Sequence, residues 1–289
     1  TVNSGASLTI KDAITVNNSA SVILEDSASL VQEGATNTNS GAIIVKRTAK
    51  PMKRYDFSYW SSPVASQTLY NLSPETLGDK YYSWNPVAQS WLIHYNGSTT
   101  MLEGKGYIVR APQSFPIDVV SSTNFSTVFN GKPNSGDITI DVKGNTSTVP
   151  ANYKWNLIGN PYPSALNLDK FLGDSFNASK INGTIYLWTH NSAPSNAIAG
   201  DANYNYTASD YAAYNGVGGT ATVAATVNPL NPVVNLNPNA NVPAGYLASG
   251  QSFFVKGKAD ATVKFTNDMR ERADNTQFFR HSNVAVNNS

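Results

Sequence analysis

The first thirty residues alternate short apolar pairs with polar turns. Leu8/Ile10, Ile14/Val16 and Val22/Leu24, then Leu30, recur every six to eight residues, separated by Lys-Asp-Ala, Asn-Asn-Ser and Glu-Asp-Ser. Each pair has the i, i+2 spacing of one strand face. GASLTI (5–10) returns as SASVIL (19–24) and again as SASLVQ (27–32). Strands this short cannot bury an apolar face alone, but stacking them like rungs does. The pattern therefore predicts the end of a β-solenoid (β-helix) over residues 1–48, in preference to an ordinary β-meander.

From Tyr55 onward, aromatic and β-branched runs alternate with Pro, Gly, Asn and Ser turns. Only Leu166–Leu172 suggests a short helix. An all-β, jelly-roll-like β-sandwich is expected. A second repeat lies within this region. YWSSPVASQTL (59–69) matches LIGNPYPSALNL (157–168), and DKYYSWNP (79–86) matches GTIYLWTHN (183–191). GKGYIVRA (104–111) then matches GQSFFVKG (250–257), and STVFNG (126–131) matches TVKFTN (262–267). The order is conserved, so two related halves are expected, 51–145 and 150–281. In each, a strand ends at a proline corner: Pro63 in the first, and Asn160, Pro161 and Pro163 in the second. Proline fixes φ and stops the ladder, and Asn160 can cap the turn. These four are expected to be structural, with Pro63 and Pro161 in matching places. The halves differ chiefly between the Trp strand and the Gly-aromatic strand, where 19 residues in the first become 61 in the second. This polar excursion, about 190–245, is where a repeated scaffold carries binding function.

Composition narrows the classes. Only 13% of residues are charged, and the net charge is +1; roughly 25% is usual. Such a chain generates no field to steer nucleic acid. The basic run VKRTAKPMKR (45–54) is then expected to be a solvated junction broken by Pro51, not a polyanion patch. There are no cysteines, which excludes disulfides, thiolate metal sites and a Cys nucleophile. No apolar run is long enough to span a membrane. The chain opens at Thr1 inside a patterned segment, and it reads as a fragment of something longer.

Catalytic chemistry has little support. The three histidines (His94, His190 and His281) fit no zinc motif. The five glutamates show no facing pair of the kind glycosidases need. Asp201, Asn203, Asn205 and Asp210 offer hard oxygen ligands, making calcium the candidate cofactor, although the glycine and closing Glu of a calcium loop are missing. Asx-turns account for the same residues and are favoured. Trp91 and Tyr95, with Tyr204, Tyr206, Tyr211 and Tyr214 of the excursion, are the candidate ligand-binding residues, since sugar rings stack on such faces. Trp84 and Trp188 are expected to be core residues of equivalent strands. Asn-x-Ser/Thr sequons occur at Asn17, Asn71, Asn96, Asn124, Asn145, Asn177, Asn182, Asn205 and Asn287, compatible with an extracellular surface.

Taken together, YDFSYWSSPV, GKGYIVRAP, WNLIGNPYPSAL, INGTIYLWTHN, TASDYAAYNGVGGT and GQSFFVKG followed by VKFTNDMRERADNTQFFR resemble a region of large Bacteroidetes (Flavobacterium-like) surface proteins exported by type IX secretion. The resemblance covers about 20–280. It implies a cell-surface location, adhesion or gliding-related roles, and a sorting domain beyond the polar tail 282–289. It carries over no catalytic residues. It also makes Ser27, in Asp26-Ser27-Ala28, a candidate O-glycosylation site. The expected function is a non-enzymatic structural or adhesive module. Its expected partners are other domains of the same polypeptide, secretion and outer-membrane anchoring components, and glycans or further copies of itself. The alternative is a carbohydrate-binding module attached to a secreted enzyme.

Overall fold

A computed structural model describes residues 1–17, 19–34, 38–117, 121–145, 153–189, 210–221, 242–276 and 278. The fold is all-β. The N-terminal strands β1 (Ser7–Ile10), β2 (Val22–Leu24), β3 (Ser29–Gln32) and β4 (Ile43–Met52) pair in parallel. Ser7 lies opposite Ser29 and Leu8 opposite Leu30, while Val22 lies opposite Ile43. Single bridges join Val2 to Leu24 and Thr15 to Ser40. The repeated motifs thus meet in register, but not as sequence neighbours: GASL pairs with SASL and skips the SASVIL between them. Each polar turn redirects the chain, so partners sit about 22 residues apart (Ser7 to Ser29), not six to eight. The expected solvated junction is also corrected. β4 takes in the first eight residues of this run, 45–52, Pro51 included, with a register shift between Ala49 and Met52 where it pairs with a later strand. Ile43, Val45, Arg47 and Ala49 alternate inward and are buried.

The next strands are β5 (Phe57–Trp60), β6 (Tyr81–Asn85), β7 (Ser90–Ile93) and β8 (Tyr107–Arg110), with a one-turn helix α1 (Leu69–Leu72) after β5. They form an antiparallel sheet in the order β5-β8-β6-β7. β9 (Thr123–Gly131) then returns to pair with β4. The chain repeats the scheme. β10 (Ile138–Val142) is followed by β11 (Lys154–Gly159), β12 (Ala165–Asn167), α2 (Leu168–Gly173), α3 (Ser175–Ala178), β13 (Ile181–Trp188), β14 (Tyr211–Tyr214) and β15 (Gly219–Thr220). β16 (Tyr246–Leu247), β17 (Ser252–Gly257), β18 (Ala261–Phe265) and β19 (Arg270–Glu271) complete it. The second large sheet has the order β11-β17-β13-β14-β15, and β18 pairs with β10. Small β12 lies between β16 and β19. The helix foreseen at Leu166–Leu172 is α2, whose first turn is capped by Asn167 accepting from Lys170 N–H (3.0 Å). Each large sheet comes from one stretch of chain, whereas a jelly roll interleaves chain between its sheets.

Strand alternation sorts side chains into three apolar layers. Trp60, Tyr81, Tyr107 and Val109 face β4, β9 and the N-terminal winding. Ile158, Ile185, Phe253 and Val255 face Phe171, Phe265 and the helices. Between the large sheets, Tyr59, Ile108, Leu157, Trp188 and Phe254 meet half-buried Trp84, Trp91 and Trp155. Tyr59 and Trp188 stack there with centroids 5.5 Å apart, and Phe254 packs edge-on to Trp84 at 5.5 Å.

Candidate functional site

Contacts between the sheets are reciprocal. Ser61 N–H donates to Gly250 O (2.8 Å), and Gly159 N–H donates to Gly104 O (2.9 Å). Bridges join Trp60 to Gln251 and Ile158 to Lys105. Trp84 Nε1–H donates to Trp155 O (2.9 Å), and Trp188 Nε1–H donates to Phe57 O (3.2 Å). These three kinds of contact come in reciprocal pairs, whereas Gln89 bonds Trp155 in one direction only. Gly104 and Gly250 occupy the left-handed region (φ 72° and 77°), where a Cβ is strained. Gly159 allows the close approach, since a Cβ there would collide with that of Ser61 (2.5 Å).

The proline corners lie beside these contacts and are buried. Ser62 Oγ accepts from Val64 N–H (3.3 Å), and Asn160 Oδ1 accepts from Tyr162 N–H (3.0 Å), so Pro63 and Pro161 each sit inside the same small turn. Asn134 Nδ2 donates to both corners, at Ser62 O and Pro161 O (3.0 Å each). Asn160 Nδ2 is shared among Ser164 O (2.8 Å), Leu247 O and Ala248 O (3.2 Å each). Pro163 O accepts from Leu30 N–H (2.7 Å), which docks the N-terminal winding onto the corner.

That docking rests on buried cations absent from the sequence-based expectations. Arg270 is fully packed beneath Leu30. It donates to Leu30 O, to Ser135 Oγ (3.2 Å) and to Asn267 Oδ1 (3.1 Å), and lies over the Tyr162 ring at 4.8 Å. Burial lowers its guanidinium to about 9, with Tyr162 opposing the shift. Arg47 Nη2 donates to Asn275 O (2.9 Å), while Asn275 Nδ2 donates to Ala28 O (2.6 Å). Burial lowers Arg47 to about 10, opposed by Asp26 at 3.6 Å. The inward alternation of β4 was the available signal for Arg47; Arg270 had none. Above this joint lies a cleft of about 370 Å³, lined by Gln32, Glu33, Lys170, Asp268, Glu271 and Arg272 among others. Its charges pair across it, Arg272 with Glu33 (2.7 Å) and Lys170 with Glu271 (3.1 Å).

The expected binding residues do not converge. Trp91 packs edge-on against Trp84 at 5.0 Å in the aromatic layer. Tyr95 is 65% exposed on a short 3₁₀ turn. Tyr211 and Tyr214 lie on opposite faces of β14. Tyr211 hydrogen-bonds Tyr59 (2.6 Å) in the aromatic layer, where burial raises its pKa, and Tyr214 donates to Asp169 (2.6 Å) in another core. Tyr204, Tyr206, Asp201, Asn203 and Asn205 lie outside the described residues. Asp210 is buried, and its carbonyl accepts from the Thr189 N–H (2.8 Å) and hydroxyl (2.6 Å). Among the described residues no group of three or more His, Asp or Glu gathers as a metal site. Ser27 holds a left-handed turn (φ 65°), and its Oγ accepts from Gly5 N–H (3.0 Å). The Asn177 sequon is buried, its amide bonded to Phe171 O (3.0 Å) and Lys264 O (2.8 Å).

These features define a class: an all-β domain in which a parallel winding is fastened by buried polar side chains to two facing antiparallel sheets. The chain belongs to a family described as a domain of unknown function, DUF8693, whose model matches residues 1–289. No curated protein and no solved structure matches it.

Proposed function

We propose that the domain is a non-enzymatic, extracellular structural and adhesive module of a large surface protein, in which a β-solenoid end is capped by a sandwich of two related halves. The observation that carries this reading is the joint. A winding whose parallel partners lie 21 to 25 residues apart is fixed to the body by Arg47, Arg270, Asn267 and Asn275. Parallel coils stack on one another, and each array needs a terminal cap. A body attached through buried charge-assisted bonds suits that task and transmits load from one end to the other. The two-half reading is supported by the shared strand order and the reciprocal contacts. Export through type IX secretion is proposed from the motif resemblance, and calcium stays a proposal for 201–210.

The test is cellular. In a bacterium that carries the gene, protease added to intact cells should digest the domain, and disabling type IX secretion should protect it inside the cell. Equal digestion with and without the secretion system would refute the export reading. A second test adds one more coil, a copy of residues 1–21 placed before Thr1. Stacking predicts a higher melting temperature; an unchanged or lower one would count against the solenoid cap.

A further inference from the structure

The equivalent outer edges of the two large sheets are treated differently. In the second sheet, β15 covers the edge of β14, pairing Thr220 with Ala213. In the first sheet, β7 is the outer strand and among the described residues pairs only with β6. Trp91 opposes Trp84 as Tyr211 opposes Trp188, so Ile93 stands where Ala213 stands. His94 N–H donates to Tyr81 O (2.8 Å), which sets the phase of the ladder. Backbone groups of Ser90, Leu92 and His94 face β6, and those of Trp91 and Ile93 point outward. Edge strands are usually blunted by Lys, Pro or a cover. Residues 90–94 (Ser-Trp-Leu-Ile-His) carry neither Lys nor Pro. Leu92 is 49% exposed and Ile93 38%.

We propose that this edge is a self-association surface on which two copies pair β7 to β7, antiparallel, about a twofold axis at Leu92. The chain covers the matching edge with an antiparallel strand of its own, so a strand is what such an edge accepts. An antiparallel pair centred on Leu92 is self-complementary. Trp91 of one copy meets Ile93 of the other, and each pair exchanges two N–H···O bonds. The strand is uncharged at neutral pH, and a net charge of +1 per copy gives little repulsion. The two sheets become one, and the Leu92 side chains cover each other.

The absence of cysteine makes a direct test available. At the axis the two Leu92 Cα atoms would lie about 4.5 Å apart, within disulfide reach. Under mild oxidation the full chain with Leu92→Cys should form a covalent dimer at least about tenfold faster than Val217→Cys, because pairing raises the local thiol concentration. Val217 is the exposed control (95%). Adding Ile93→Pro deletes an outward N–H and leaves the β6 ladder intact; the rate should fall to that of the control. Near-UV circular dichroism verifies that each variant is folded. Equal rates for the two single variants, or fast cross-linking that survives Ile93→Pro, would overturn the proposal. The edge stands on strand geometry alone, so its failure leaves the stalk reading untouched.

Discussion

Asn160 shows how much one buried amide can carry. It closes a proline turn through Oδ1 and gathers three carbonyls through Nδ2. Asn160→Ala removes the donor these buried carbonyls share, leaving Ala248 O with the Gln251 N–H (3.2 Å), and should cost about 3 kcal/mol in urea unfolding. Ser62→Ala, at the matching corner, should cost about 1 kcal/mol, because its hydroxyl serves only Val64. His94 is the residue-scale pH probe. Burial, aided by Lys105, lowers its pKa from the ordinary 6.5, while its nitrogens bond Ser83 (2.8 Å) and Thr99 (2.9 Å). Below pH 6.5 the unfolded chain takes up a proton that the folded chain resists. Stability from this site is therefore complete above pH 6.5 and falls as the medium is acidified. His94→Gln should shrink the loss of melting temperature between about pH 7 and about pH 5; an identical slope would assign that loss to other groups.

At the scale of elements, the reciprocal strand contacts make matched predictions. Gly104 and Gly250 hold the same backbone conformation before β8 and β17. Replacing either with Ala places a Cβ in the left-handed region and should cost about 1–2 kcal/mol at each position, read by thermal or urea unfolding. Unequal costs would mean the two turns bear different loads. The sequence matches anticipated this pairing because Gly-aromatic strands and proline corners follow local chemistry. The N-terminal motifs were equally visible, but their partners were not. Strand formation depends on a few adjacent residues, whereas pairing depends on how far each turn rotates the chain.

For the whole molecule, the question is whether the winding and the body unfold as one. Arg270 joins them through Leu30. Arg270→Met deletes its charge-assisted bonds and should cost about 3–5 kcal/mol. Residues 1–45 should then become the first site of limited proteolysis. If cleavage begins elsewhere, the winding is held mainly by its apolar contacts. The low overall charge makes the buried guanidiniums conspicuous: Arg270 is spent on a carbonyl and an aromatic face, and Arg47 on the Asn275 carbonyl with Asp26 beside it.

Several properties were settled by the chain alone. Period-two alternation and frequent turn residues determined an all-β fold. Three of the four matched blocks located strands that share an order in the two large sheets, and the two proline corners, because those signals are written in residues close together in sequence. Only tertiary structure decided the rest. It set parallel pairing at 21 to 25 residues and turned Arg47 from a supposed solvated junction into a buried strand residue. It also sent Tyr211 and Tyr214 to opposite cores and, among the described residues, left β7 open while β14 is covered. Each of these depends on which distant surface a side chain meets. That is a property of the packed chain, and no local spacing encodes it.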